Sequence, residues 1–130
     1  MTTESADTPL IRKLRFNAND TVYVETTPAW YSTFANDNDL DLTPGLPATH
    51  VHLFCDTTAD LVDFLDENNL GDIAKSFWVS WPKKASGVKT DITEQTIRDL
   101  ILPLNWVDTK VVAVDDVWSG LQFLRRKSET

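Results

Sequence analysis

The sequence predicts an α/β domain of three layers, in which a mostly parallel sheet of about five strands closes on a C-terminal antiparallel hairpin. Three observations carry that expectation. Runs rich in β-branched and aromatic residues recur at 21–25, 50–55, 76–81 and 109–114, the composition of pleated, buried strands. Stretches with apolar residues at helical spacing separate them, which implies parallel neighbours joined by crossover helices. The chain then returns through residues 119–125, alternating polar and apolar, as the second arm of a hairpin and an antiparallel edge strand.

The elements follow in order. Pro9 suits the first turn of a short lead-in helix over 9–14, and the Asn-Ala-Asn-Asp cluster at 17–20 is a turn. The first strand, Thr21-Val22-Tyr23-Val24-Glu25, ends at Thr26-Thr27-Pro28. Residues 29–35 take one or two helical turns. Pro44, Gly45 and Pro47 break the polar stretch 36–47 into loop, with 40–43 extended. His50 to Cys55 form the second strand, and Thr57 or Thr58 caps the helix after it. Leu61, Val62, Leu65 and Leu70 are that helix's apolar face, and Gly71 is placed to stop it. The third strand ends at Pro82, before a lysine-bearing loop over 82–90. Asp91-Ile92-Thr93-Glu94 reads as a capping box with Asp91 as the cap. Ile97, Leu100 and Ile101 continue that helix until Pro103 halts it.

Composition narrows the function classes. A chain of 130 residues fits one domain, expected over 9–127 between short tails at 1–8 and 128–130. The net charge of −8 opposes binding driven by phosphate neutralisation, so no nucleic-acid partner is expected. No apolar run approaches the roughly 18 residues of a membrane helix, and the polar, acidic start is unlike a signal peptide. One cysteine, Cys55, excludes an internal disulfide, and a reducing cytoplasm is the simplest setting.

The second half resembles a known family. Residues 77–94, from Phe77-Trp78-Val79-Ser80-Trp81-Pro82-Lys83-Lys84 to Asp91-Ile92-Thr93-Glu94, are similar to the most recognisable stretch of DUF3052, a bacterial family of domains of unknown function. So is the ending 104–126, with Val107-Asp108, Lys110-Val111, Ala113-Val114-Asp115 and Trp118-Ser119. The resemblance covers 77–126 and is weak before residue 50. It implies a trimmed, Rossmann-like relative of the methyltransferases, whose last strands also form a reversed hairpin, and it implies no activity. One departure matters. Methyltransferase-like folds place a glycine-rich turn after the first strand so that the cofactor can come close. Here that turn is Glu25-Thr26-Thr27-Pro28-Ala29, which argues against S-adenosylmethionine, and no cofactor is expected.

Ligands of open parallel sheets bind outside the carboxyl ends of the strands. That rim gathers Glu25-Thr26, Cys55-Asp56, Trp81 to Lys84, and Asp115-Asp116. The candidate ligand-binding residues are Trp81, Lys83, Lys84, Ser86, Lys89, Asp115, Trp118 and Ser119. The lysines would face an anion beside the amino end of the Asp91 helix, and the two tryptophans would flank a flat ligand. Against this, lysines in such a loop are more often solvated partners of the abundant carboxylates, and tryptophans more often cover the end of a small core. His50 and His52 share one strand face, as in metal sites, yet no third ligand matches them. The acidic run 37–41 lacks the glycine and glutamate of a calcium loop. Cys55 reads as a small buried hydrophobe, and Ser119 lacks a hydrolase nucleophile's glycine-framed turn. With no catalytic set, two expectations remain. One is a non-catalytic module that binds a protein partner or itself. The other is a binder of an anionic, nucleotide-like molecule or a cryptic enzyme at the carboxyl rim.

Overall fold

Alternation of buried and exposed positions, read against helical caps, determines what each segment does. The computed structural model describes residues 9–126, so the tails expected at 1–8 and 128–130 lie outside the described residues. The strands are β1 (Thr21–Glu25), β2 (Asp41–Thr43), β3 (Ala48–Phe54), β4 (Ile73–Pro82), β5 (Trp106–Ala113) and β6 (Trp118–Arg125). They form one sheet in the order β2-β1-β3-β4-β6-β5. β2, β1, β3 and β4 run parallel, and β6 is antiparallel to both β4 and β5.

Two expectations need correction here. There are six strands among the described residues rather than about five, because Asp41–Thr43 pairs with β1 as a short edge strand. The antiparallel strand is also not at the edge. β6 inserts between β4 and β5, with Gly120, Leu121, Gln122 and Phe123 all buried, so β5 is left outermost. β5 suits an edge: it carries Asp108 and Lys110 on either side of a register shift, features that discourage further strand pairing.

Among the described residues four α-helices cover the faces: α1 (Leu10–Leu14), α2 (Tyr31–Asp37), α3 (Thr58–Glu67) and α4 (Glu94–Ile101). α3 and α4 bury Leu61, Phe64, Ile97 and Ile101 against Phe77, Val79, Leu121 and Phe123. On the opposite face α1 and α2 bury Leu14 and Tyr31 against Val22, Phe54, Trp78 and Val112. Trp78 is wholly buried, and its indole N–H donates to the Leu14 carbonyl at 3.0 Å. An aromatic side chain of that size contributes roughly 4–6 kcal/mol of gross hydrophobic gain, an upper bound.

The caps also differ from expectation. Thr57 caps α3, accepting from the Asp60 amide at 3.1 Å, but α4 is capped by Thr93, which accepts from Thr96. Asp91 instead accepts from the Thr58 amide at 2.8 Å and so holds the amino ends of α3 and α4 together. α3 stops at Glu67, four residues short of Gly71, where the Asn68 side-chain amide donates back to the Phe64 carbonyl.

Candidate functional site

At the carboxyl rim the turn between β5 and β6 is built around one side chain. Asp115 Oδ1 accepts from the amides of Val117 at 2.8 Å and Trp118 at 2.7 Å, which closes the turn. Its Oδ2 accepts from the Trp30 indole at 2.9 Å, and its carbonyl accepts from Lys83 Nζ at 2.6 Å. The Lys83 amide donates to the Val117 carbonyl, which fixes the β4 exit against the same turn. Trp118 stands edge-on to Phe54, and Trp30 stacks on Tyr31. The α2 side of the rim is therefore filled by the chain's own aromatic rings.

The predicted residues divide accordingly. Lys83, Asp115 and Trp118 come together. Ser86 bonds to the Lys83 carbonyl and takes the Val88 amide, shaping the loop. Ser119 lies in the ladder opposite Trp81 and Ala113. Trp81 and Trp118 do not flank one space: Trp118 pairs with Pro82, one residue beyond Trp81, so the two rings point to opposite faces. Lys84 is exposed. Lys89 borders a shallow cleft of about 330 Å³ with Asp56, Thr57, Thr90 and Asp91. Asp56, Lys84 and Asp115 follow strands that end on the same rim.

A second cleft, of about 210 Å³, opens where β1 and β3 end beside α3. Glu25, Thr26, Cys55, Asp60, Asp63 and Glu67 line it, over Leu53 and Phe64. The strand-end reading reached Glu25, Thr26 and Cys55 but missed the three acids of α3. Their spacing, 60, 63 and 67, was the available signal, since it places them on one helix face. Thr26, in the turn after β1, occupies the left-handed region (φ 54°) that favours glycine. The Tyr23 hydroxyl donates to Glu25, and burial together with that bond pushes the phenol up to about 12. Burial, then the carboxylates of Asp60, Glu25 and Asp56, push the Cys55 thiol up to about 12. The lining disfavours anions and any thiolate.

Both histidines are structural. His50 bonds Asp20 through Nε2 at 2.8 Å and Ser76 through Nδ1 at 2.6 Å. His52 bonds Tyr31 through Nδ1 at 2.9 Å and Ser80 through Nε2 at 2.8 Å. Every ring nitrogen is engaged, so none is left for a metal. Asp20, His50 and Ser76 have the composition of a hydrolase triad, but Ser76 is 2% exposed and no substrate reaches it. Burial lowers the His50 pKa, opposed by Asp20 and aided by Lys75. Burial works to raise Asp20, but the Asn17 amide and His50 outweigh it and hold the carboxyl below its usual value. Among the described residues no group of three or more His, Cys, Asp or Glu is arranged to hold a metal ion, and no helix is long and apolar enough to cross a membrane.

This sheet order and rim define the class: a Rossmann-like α/β fold of the methyltransferase kind. Solved structures share it, two of them as follows. The magnesium protoporphyrin IX methyltransferase (ChlM) of Synechocystis PCC 6803, with bound SAM, aligns with a TM-score of 0.55 at 9% identity, over 89% of this chain and 74% of that one. A protein of the NADB-Rossmann superfamily from Streptococcus agalactiae aligns with a TM-score of 0.53 at 7% identity, over 100% of this chain and 72% of that one. At such identities the likeness shows the fold alone. No family model matches the chain, and no curated protein matches it in sequence.

Proposed function

We propose that this protein is a non-catalytic, cytoplasmic interaction module that keeps the methyltransferase fold without binding S-adenosylmethionine, and that its partner is another protein or a second copy. One observation carries the reading: the α2 side of the rim where this fold holds its ligands is filled by the chain itself. Asp115 is taken up by Trp30, Lys83 and its own turn. The cleft left beside β1 is lined by four carboxylates and lacks a glycine turn. An adenosyl ligand with its own carboxylate would meet repulsion there in place of amides and close backbone. Membership of DUF3052, suggested by residues 77–126, belongs to the same reading. The exposed large hydrophobics among the described residues, Leu42, Val88, Leu104 and Val111, are spread over separate elements, which suits a modest interface better than an obligate one.

The test is a thermal melt against S-adenosylmethionine, S-adenosylhomocysteine, nucleotides and sugar phosphates. A ligand at a hundred times its Kd adds about 2.7 kcal/mol to native stability, a shift of several degrees. No member of the panel is expected to move the midpoint by as much as about one degree. A saturable shift with any of them overturns the reading.

A further inference from the structure

α2 is a poor helix by its own resources. It has seven residues, no side-chain cap at its amino end, no acid in its first turn and no base in its last. A helix so short and uncapped is held by its tertiary contacts rather than by its own propensity. Among the described residues, Tyr31 supplies the hydrogen bond that ties α2 to the sheet, and its partner is His52. His52 is 0% exposed, stacked on Phe54 and edge-on to Tyr31. From β4 it meets Ser80 and Trp78, from the segment after α1 it meets Phe16, and β1 brings Val24 alongside. Among the described residues no charged group contributes to the environment of His52, and Asp20 before β1 and Lys75 on β4 act on His50 instead. A neutral ring is satisfied in either tautomer, since Tyr31 and Ser80 hydroxyls each donate or accept. An imidazolium would keep both bonds but place an uncompensated charge in a dry space.

From this geometry we infer that α2 is an acid-released flap, in which opening frees His52 to take a proton and uncovers Phe54 and Trp118 at the rim while β1, β3 and β4 stay paired. The opened histidine titrates near its ordinary value of about 6.5, so each pH unit below that multiplies the open population about tenfold. The inference goes beyond the reading above and does not depend on it.

Amide hydrogen exchange at pH 7 and pH 5, corrected for intrinsic rates, tests it. Amides of residues 31–37 are expected to be less protected than those of β3 at both values, and to lose about 30-fold of their protection at the lower one. His52→Gln removes that loss, and His50→Gln leaves it in place. Tyr31→Phe lowers α2 protection at both pH values and leaves the dependence intact, which provides a readout should His52→Gln fail to fold. The inference is overturned by equal protection of α2 and β3, by α2 protection that is flat with pH, by a pH loss that survives His52→Gln, or by Tyr31→Phe leaving protection unchanged.

Discussion

The Trp30 indole donates to the Asp115 carboxylate at 2.9 Å, joining the loop before α2 to the turn between β5 and β6 across 85 residues. Those two segments flank the carboxyl rim on either side of β3 and β4, so one hydrogen bond spans the rim on its α2 side. The same carboxylate holds two turn amides. Its loss therefore affects both the turn and the bridge.

Asp115→Ala is expected to destabilise the protein by about 2 kcal/mol, the usual cost of losing bonds to a charged acceptor. Trp30→Phe keeps the aromatic contacts and removes only the donor, for about 1 kcal/mol. In urea denaturation followed by circular dichroism, the double variant should show a coupling of at least about 0.5 kcal/mol. Strict additivity would mean that the bridge contributes nothing.

The glycines separate by what surrounds them. A Cβ on Gly120 would lie 3.1 Å from Val114 Cγ2 and 3.3 Å from both Ser80 Oγ and Trp78 Cε3, in the tightly packed sheet interior. Gly120→Ala should cost about 1–3 kcal/mol by overpacking. A Cβ on Gly45 meets nothing within 4 Å, so Gly45→Ala is expected to be neutral or to stabilise by up to about 1 kcal/mol through the unfolded chain. Equal effects at the two positions would contradict the packing of β6 against β4.

Global stability should fall on acidification. Burial holds His50 below its ordinary value and takes His52 down to about 3. The native state thus binds fewer protons than the unfolded chain below about pH 6.5, and stability drops by up to about 1.4 kcal/mol per unit for each histidine. The histidine contribution is level above that pH. Asp20, held below the usual carboxylate value, adds a further loss only below about pH 4. Easing of self-repulsion in a chain of net charge −8 acts the other way, but exposed charges are screened within about 10 Å and the buried rings are not. Urea midpoints should decline from pH 6.5 to 5, with a shallower decline in His52→Gln.

Much of this fold was readable from local signals, and the failures have physical causes. β1 stands where its β-branched run predicted it, and β3 and β4 contain most of theirs but begin earlier, at Ala48 and Ile73. β5 begins at Trp106, earlier than residue 109, because Pro103 and Asn105 obscured its start and the register shift near Thr109 broke its alternation. β6 alternates polar and apolar like an edge strand, yet Gln122 is buried because it receives the Thr109 hydroxyl at 2.7 Å. Asp91 matches a local capping box, but its actual partner, Thr58, is 33 residues away. At the rim, strand ends located the right edge. Which way Trp81 and Trp118 point depends on a one-residue pairing register that no local pattern contains.

Cys55 offers a direct check on the cleft beside β1. An ordinary thiol has a pKa of about 8.5 and is roughly a quarter thiolate at pH 8. With its pKa pushed up to about 12 by burial and by Asp60, Glu25 and Asp56, Cys55 has about a thousandfold less of the reactive form. It is also only 3% exposed. Native protein should therefore react with Ellman's reagent at pH 8 at least about a thousand times more slowly than protein unfolded in urea. Asp60→Asn should speed native labelling only modestly, since burial is the larger cause and remains. Rapid labelling of the folded chain would mean that the cleft floor opens readily, and the four carboxylates could not then be credited with closing it to anions.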